Sequence, residues 1–309
     1  MSPRATLVVN PTAGKGRAQT KLGEVAATLS AGGWDVAVRR SRTFAEAESI
    51  VADTVAHGVD ALVVMGGDGM MHLGLNHAAK ARSGGDRRTT LGLVPAGTGN
   101  DLCRGLGLDP GDAVAAARVI VAGKVAEIDL ARVNDRYVGA VLATGFDALV
   151  NQRANALPWP RGQARYVVAT MAELRVFTPL SYRLEVDGRV RELSAMLVAV
   201  GNTSSYGGGM RICPGASPTD GQLDITIIHP VSRFKLLQLL PQMFSGRFAR
   251  DPCVEQLRAT TVRVEGARVI GYGDGERLDP APLQVRVAPR ALAIFAPHAS
   301  PGAGLGPAR

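Results

Sequence analysis

The sequence predicts an N-terminal α/β domain, in which helices cover both faces of a parallel sheet, followed by a C-terminal antiparallel β-sandwich. Up to about residue 125, short β-rich runs alternate with stretches of helical periodicity, which is typical of a parallel sheet. From residue 126 onward the β-rich runs follow one another closely, which indicates antiparallel pairing. We therefore divide the 309 residues into domains at 1–125 and 126–296, and predict that 297–309, rich in Gly, Pro and Ala, is a disordered tail.

The predicted strands of the first domain are four β-rich runs separated by helical segments. They cover residues 6–9, 35–38, 61–65 and 91–94. In the second domain the candidate strands cover residues 138–143, 181–186, 195–200, 223–228, 261–264 and 283–287. They are interrupted by two helix-containing segments, 151–178 and 232–249. Because parallel strands end at the same edge of a sheet, the loops after the first four runs are expected to line one crevice.

The charge balance indicates a polyanionic partner. The formal net charge of +8 suits a nucleic acid or an anionic membrane surface, with ordinary solubility charge as an alternative. The basic residues are spread along the chain and form no zinc-finger, RNA-binding or basic-zipper pattern, so we expect no nucleic-acid partner. The start of the chain does not read as a signal peptide, and no apolar run approaches the roughly 20 residues of a membrane span. We therefore expect a cytoplasmic protein that contacts membranes only peripherally.

The cysteines give no sign of a covalent framework. Cys103, Cys213 and Cys253 are far apart and odd in number. That pattern argues against both a disulfide set and a zinc site. We predict that all three are buried thiols.

The first candidate loop follows the first strand and reads NPTAGKGR over residues 10–17. A Gly-rich turn from strand to helix lets main-chain N–H groups face an anion, and the helix N-terminus adds partial positive charge. The loop matches neither the Walker pattern nor the Rossmann fingerprint. An ordinary strand-to-helix turn is an equally good interpretation of this loop by itself.

Two further loops follow the third and fourth strands. The third strand leads into GGDG at residues 66–69, where glycines allow close approach to phosphates and Asp68 can hold a metal or its water. The fourth leads into PAGTGND at residues 95–101, in which Thr98 is placed to bond a phosphate oxygen and Asn100 to reach ribose, base or the neighbouring loop. Three such loops at strand ends predict a phosphate-binding crevice.

Together with GDGE at residues 273–276, these loops form an ordered set that resembles the diacylglycerol kinase catalytic family, which includes bacterial lipid kinases and sphingosine kinases. The resemblance covers nearly the whole chain except the tail. It implies ATP as the phosphoryl donor, Mg²⁺ as the metal, and a fold of the NAD-kinase and diacylglycerol-kinase type. It assigns the nucleotide to Asn10, Pro11, Thr12, Ala13, Gly14, Thr43, Gly66, Gly67, Asp68, Gly69, Met70, Met71, His72 and Thr98. From their places in the first and third loops, Lys15 and Asn100 are also predicted to bind the nucleotide.

Two of these positions carry a specific alternative. Thr43 precedes a helical segment, and its spacing is that of an N-terminal helix cap. Met70 stands where the family usually has Thr after GGDG, so one hydroxyl that would face a phosphate is missing.

The resemblance also implies a metal site and a base. The segment SPTDGQLD at 217–224 resembles the part of the family that holds Mg²⁺ through an acidic residue and two main-chain carbonyls, which here are Asp220, Ser217 and Gln222. A simple β-turn is the alternative there. Glu276 matches the proton acceptor, with Asp274 to position it or bind the catalytic magnesium and Asp68 as the third catalytic residue. By itself, DGE would be read as a polar hairpin.

The expected function is an ATP- and Mg²⁺-dependent lipid kinase, with the conversion of diacylglycerol to phosphatidic acid as the leading candidate. An NAD kinase and a catalytically silent nucleotide-binding regulator are the alternatives. The lipid would be reached at an anionic membrane surface through the basic, apolar segment 232–250 or through Trp159, either of which could instead pack against the protein. A homodimer is among the expected assemblies.

Overall fold

A computed structural model describes residues 2–86, 89–159, 163–278 and 282–297. The described chain forms two compact units that are interleaved along the sequence. The first contains the described residues up to Leu130, the short segment Pro218–Asp220 and the described residues from Ala288 onward; the second contains Ala131–Ser217 and the described part of Gly221–Val287. The domain boundaries given by the sequence stay predictions, and the predicted disordered tail lies, from residue 298, outside the described residues.

The first unit alternates strands and helices, as predicted. Its elements in chain order are β1 (Arg4–Val9), α1 (Arg17–Ala31), β2 (Asp35–Arg40), α2 (Phe44–His57), β3 (Ala61–Gly66), α3 (Asp68–Ser83), β4 (Thr90–Pro95), α4 (Asp101–Gly105), α5 (Ala113–Val121) and β5 (Val125–Val133), the last of which continues into the second unit. A 3-10 turn, Ala13–Gly16, leads into α1. Each of the four runs predicted as strands lies within one of β1 to β4.

The sheet of the first unit has its four predicted strands in the order β2-β1-β3-β4, with all neighbours parallel. β3 is buried along its whole length, which explains its continuous apolar sequence. Helices α1 and α5 contact each other, and α2 contacts α3. The core between sheet and helices includes Leu7, Val63, Met65 and Ile120. This confirms the predicted α/β architecture.

The second unit is mainly antiparallel. Its elements are β6 (Arg136–Val138), β7 (Val141–Gly145), α6 (Phe146–Ala156), α7 (Gln163–Val176), β8 (Leu180–Val186), β9 (Arg189–Ala195), β10 (Leu197–Gly201), β11 (Leu223–Ile228), α8 (Arg233–Met243), β12 (Val254–Ala259), β13 (Thr261–Glu265), β14 (Gly271–Gly273), β15 (Glu276–Arg277) and β16 (Leu283–Phe295). One sheet has the order β12-β11-β10-β7-β14-β15. A second ladder pairs β9 with β8, β8 with β13, and β13 with the first residues of β16.

Three of the predicted strands differ from the structure. The run 138–143 is two strands, because the main-chain N–H groups of Gly139 and Ala140 bond to a carboxylate rather than to a neighbouring strand. The run 195–200 also spans a break, since β9 ends at Ala195 and β10 begins at Leu197. The last strand extends well beyond residue 287, and its later residues enter the first unit, where Ile294 pairs in parallel with Leu91 of β4.

Candidate active site

In the first unit, a carboxylate joins the second glycine-rich loop to the third. Asp68 is the first residue of α3, and its Oδ2 accepts a hydrogen bond from the main-chain N–H of Asn100 at 3.0 Å. Its Oδ1 accepts from the main-chain N–H of Asp101 at 2.8 Å. Each carboxylate oxygen has two lone pairs, so a main-chain donor and a metal or water can share one oxygen. These bonds fix the direction of the carboxylate that the sequence placed in the catalytic set.

Glycine is required where these two loops meet. A Cβ atom built on Gly97 would lie 2.4 Å from the Cα of Gly67, a separation that side chains do not tolerate. A Cβ on Gly99 would lie 2.3 Å from Oδ2 of Asp68. Main chain therefore packs directly against main chain, which leaves the N–H groups of both loops near one another.

The first loop contacts the third. Gly14 has a φ of 59°, and a Cβ there would lie 1.9 Å from the carbonyl oxygen of Ala96. The guanidinium of Arg17, the first residue of α1, donates to the carbonyl oxygen of Gly97 at 2.5 Å. The structure thus brings all three predicted loops together, as expected for loops at the carboxyl ends of adjacent parallel strands.

The helices that follow the first two loops begin without a side-chain cap. The N-cap residues of α1 and α3 are Gly16 and Gly67, which have no side chain to bond the first N–H groups. By contrast, α2 and α5 are capped by the side chains of Thr43 and Asp112. Uncapped helix N-termini beside glycine-rich loops are suited to bind phosphate.

The predicted nucleotide-binding residues have unequal exposure. Thr12, Lys15 and Thr98 are exposed, whereas Met70, Met71 and His72 are buried in the first turns of α3. Met70 packs over Gly66, because a Cβ on that glycine would lie 2.6 Å from the Cγ of Met70. Residues whose side chains are buried in this way can contribute to a nucleotide site mainly through their main-chain groups.

Three predicted residues use their side chains to organise the loops. Asn10 Oδ1 accepts from the main-chain N–H and the hydroxyl of Thr12, at 3.1 and 2.8 Å. The Asn100 amide accepts from Gly97 N at 3.1 Å and donates to Gly97 O at 3.1 Å, so it holds the third loop in shape. Thr43 Oγ1 accepts from Glu46 N at 3.1 Å and therefore acts as the helix cap that the spacing offered as an alternative. Their contact with a nucleotide stays a prediction.

The residues predicted to hold Mg²⁺ lie in the turn before β11. Asp220 is exposed, Ser217 and Gln222 are half-buried, and Gly221 between them has a φ of 72°. The donor set is a carboxylate and two main-chain carbonyls, and all-oxygen ligands suit this hard cation. No cluster of three or more His, Cys, Asp or Glu side chains with metal-site geometry occurs among the described residues, so a metal here would depend on the carbonyls and on water. The assignment stays a prediction.

In the second unit, the hairpin between β14 and β15 carries the predicted base. Glu276 is half-buried and pairs with Gly273 across the hairpin. At the turn, Asp274 has a φ of 52°, and its Oδ2 and Oδ1 accept from Gly139 N and Ala140 N, both at 2.8 Å. Asp274 therefore anchors the turn to the link between β6 and β7.

Asn202 holds the same link through further hydrogen bonds, and no sequence motif pointed to this residue. Its Nδ2 donates to Gly139 O at 2.9 Å, and its main-chain N–H donates to Ala140 O at 2.8 Å. Asn202 is fully buried directly after β10. The sequence signal that could have pointed to Asn202 is an asparagine directly after an apolar run. The chain of bonds from Asn202 through Gly139 and Ala140 to Asp274 makes Asn202 a positioning residue for the hairpin.

An acidic residue that the sequence patterns did not indicate, Asp147, is buried in the second unit. Asp147 lies in the first turn of α6, and its Oδ2 accepts no hydrogen bond from the described residues. Burial raises the pKa of Asp147 to about 7. Burial likewise raises the pKa of Tyr182 to about 12, although a hydrogen bond with Thr144 opposes that shift.

Two of the three cysteines are buried. Cys103 and Cys213 are buried, as predicted, whereas Cys253 is half-buried. Burial raises the pKa of the Cys213 thiol to about 12 and that of Cys253 to about 11.

Within the described part of the chain, no helix is long and apolar enough to cross a membrane.

Two family models match the chain. The model described as the diacylglycerol kinase catalytic domain matches residues 4–133, and the one described as the YegS C-terminal NAD kinase beta sandwich-like domain matches residues 140–296. The fold is therefore that of the NAD-kinase and diacylglycerol-kinase class. A relative from Mycobacterium tuberculosis (strain H37Rv), named diacylglycerol kinase, is 40% identical over 301 residues and is matched over 96% of both chains. The chain belongs to the diacylglycerol kinase catalytic family, a family of lipid kinases.

More distant relatives agree with this assignment. A diacylglycerol kinase of Bacillus subtilis (strain 168) is 26% identical over 262 residues, which cover 84% of this chain and 85% of the relative. A crystal structure of a diacylglycerol kinase from Bacillus anthracis str. Sterne matches with a TM-score of 0.73 at 22% identity, over 96% of this chain and 97% of that one. At that level of identity, the likeness supports the fold.

Proposed function

We propose that this protein is an ATP- and Mg²⁺-dependent kinase that phosphorylates diacylglycerol to phosphatidic acid. The observation that carries the proposal is the meeting of three glycine-rich loops through Asp68, Gly97 and Arg17. Close main-chain contact and two uncapped helix N-termini suit the phosphates of a nucleotide. The identity of the acceptor is supported by the names of the relatives.

The proposed reaction is an in-line displacement. The oxygen of the lipid hydroxyl forms a bond to the γ-phosphorus, and the bond between that phosphorus and the β,γ-bridging oxygen breaks to release ADP. The hydroxyl proton passes to the carboxylate of Glu276. The ordered hairpin, held by Asp274 on Gly139 and Ala140, supports that role because it limits where the carboxylate can point.

Magnesium would be held by oxygen ligands and would neutralise charge on the phosphates. Asp220, with the carbonyls of Ser217 and Gln222, is the proposed set for a structural ion. Asp68 is the carboxylate proposed to act on the nucleotide phosphates, which it would do through a metal or a bound water. The lipid acceptor would be met at an anionic membrane surface.

The proposal is tested by phosphoryl transfer from labelled ATP, with Mg²⁺, to diacylglycerol and other lipids in mixed micelles. Glu276→Gln should lower kcat by about 10²–10⁴-fold while nucleotide affinity stays within error, because a general base acts in the chemical step. Glu192→Gln, at an exposed glutamate on β9, is the matched control. Transfer to NAD instead of a lipid would assign an NAD kinase, and nucleotide binding without transfer to any acceptor would assign a silent regulator.

A further inference from the structure

Helix α8 has apolar side chains on two opposite faces. Leu236, Leu239 and Met243 are buried in the core of the second unit. With 3.6 residues per turn, the face opposite them presents Phe234, Leu237 and the C-cap residue Phe244. These are 70%, 40% and 56% exposed, respectively. One apolar face is explained by packing on the core, and the other has no such explanation.

The part of the chain that contains α8 carries mainly positive charge. Residues 225–250 contain four basic residues and no acidic one. Arg233, Arg247 and Arg250 are exposed, while the Lys235 ammonium is bonded to Asp251. Arg247 and Arg250 belong to a 3-10 turn that contacts α8. Three exposed cations and three exposed apolar side chains on these two adjoining elements are the composition of a segment that lies in a membrane interface.

We propose that this surface, defined as Phe234, Leu237, Phe244, Arg233, Arg247 and Arg250, docks the protein on an anionic lipid bilayer. The aromatic and leucine side chains would enter the boundary between headgroups and acyl chains, and the guanidinium groups would contact phosphates. The purpose of this docking rests on the proposed function, since a kinase without a membrane lipid as acceptor has no need of it.

Charge favours a bilayer over a second copy of the chain. In a two-fold symmetric dimer the same patch faces itself, so the arginines of one copy would approach those of the other. Such juxtaposition of like charges opposes association, whereas an anionic bilayer complements the same charges.

Helix α7 also exposes apolar side chains, among them Val167 and Met171. Unlike residues 225–250, α7 contains an acidic residue, Glu173, whose carboxylate is paired with Arg153. The exposed apolar side chains of α7 therefore serve as a comparison in the binding experiment.

The test is sedimentation with vesicles, without nucleotide, using equal amounts of phosphatidylglycerol and phosphatidylcholine or phosphatidylcholine alone. The wild-type protein should bind the anionic vesicles at least tenfold more tightly, and added salt should weaken that binding because it screens exposed charges. Phe234→Gln with Leu237→Gln should reduce binding to anionic vesicles at least tenfold. Arg233→Gln should reduce it about fivefold.

Two control variants define what would overturn the proposal. Val190→Gln removes an exposed apolar side chain on β9 and should leave binding unchanged. If Val167→Gln with Met171→Gln abolishes vesicle binding while the α8 double variant binds normally, α8 is not the docking surface. Sedimentation equilibrium that shows a dimer dissociated by the α8 double variant would instead assign the surface to self-association.

Activity on a short-chain diacylglycerol in detergent micelles separates this proposal from the proposed function. The α8 double variant should retain wild-type transfer there, because Phe234 and Leu237 are exposed residues of α8 and belong to neither the loops nor the hairpin. Retained transfer with lost vesicle binding supports docking. A wild-type protein that transfers phosphate in micelles but binds no vesicle refutes docking and leaves the kinase assignment intact, whereas vesicle binding without transfer to any lipid refutes the kinase assignment alone.

Discussion

Asp68 Oδ2 accepts a hydrogen bond from the main-chain N–H of Asn100 at 3.0 Å, and this bond links the loop after β3 to the loop after β4. A second bond, from Asp101 N to Oδ1, makes the link bidentate. The carboxylate proposed to act in phosphoryl transfer is therefore also part of the structure of the loops. Substitutions there should affect both stability and activity.

Asp68→Asn should lower the free energy of unfolding by about 1–3 kcal/mol. The amide can accept only one of the two main-chain hydrogen bonds, and its NH₂ group would face the other N–H donor. Urea denaturation measures this change, with Asp135→Asn, at an exposed turn residue, as the control. An Asp68→Asn protein as stable as the control would contradict the bidentate link.

Gly97→Ala and Gly23→Ala should change stability in opposite directions. The first places a Cβ 2.4 Å from the Cα of Gly67 and should cost about 1–3 kcal/mol, with weaker nucleotide binding. The second lies in α1 with nothing within 4 Å of the added Cβ, and should stabilise the protein by up to about 1 kcal/mol. Thermal unfolding and nucleotide titration of both variants check the pair. If the Gly97→Ala protein were as stable as the Gly23→Ala protein, the close contact between the loops at Gly97 and Gly67 would be contradicted.

Thr43→Ala should cost about 1 kcal/mol of stability, because the side chain caps α2 by accepting from Glu46 N. Thr43→Ser keeps the capping oxygen and should retain most of that stability. Nucleotide affinity decides whether the residue has the second role that the family resemblance implies. A Thr43→Ala protein with wild-type affinity would restrict Thr43 to capping.

Asn202→Ala should lower kcat for phosphoryl transfer while the KM for ATP changes little. The substitution leaves Gly139 O without its side-chain donor and loosens the link that Asp274 holds. The matched control is Asn151→Ala, which also removes a bond from an asparagine side chain to a main-chain carbonyl, at Asp147 O. Each substitution should lower the free energy of unfolding by at most about 3 kcal/mol, but only Asn202→Ala should lower kcat. Equal kcat in the two variants would assign Asn202 a purely structural role.

Asp147 should make stability fall as pH rises. Its folded pKa of about 7 is above that of an unfolded aspartate, about 3.9, so between these values the folded state binds more protons. The free energy of unfolding should therefore decline from about pH 4 to about pH 7 because of this residue, by roughly 1–4 kcal/mol, and then level off.

Asp147→Asn should remove that part of the pH dependence and stabilise the protein above about pH 7. Urea denaturation at several pH values between about 4 and 8 measures the effect, again with Asp135→Asn as control. If wild type and Asp147→Asn show parallel pH profiles, the carboxyl is not held in its neutral form by burial.

In the second unit, short-range sequence patterns do not predict all of the strand boundaries. The runs 138–143 and 195–200 are apolar enough to be read as single strands, yet each contains a break. The first break exists because Asp274, 135 residues away from Gly139, takes the N–H groups that would continue the ladder. Periodicity in a short window contains no information about such a distant acceptor.

The sequence by itself determined the alternation of strands and helices in the first unit, the antiparallel character of the second, and the three glycine-rich loops. These follow from residue periodicity and from the backbone freedom of glycine, both of which act over a few residues. The tertiary structure decided the rest: that Asp68 joins residues 32 and 33 positions away, and that α8 turns Leu236 inward and Phe234 outward. An amphipathic pattern with two apolar faces does not specify which one the core will bury, because that depends on surfaces contributed by distant parts of the chain.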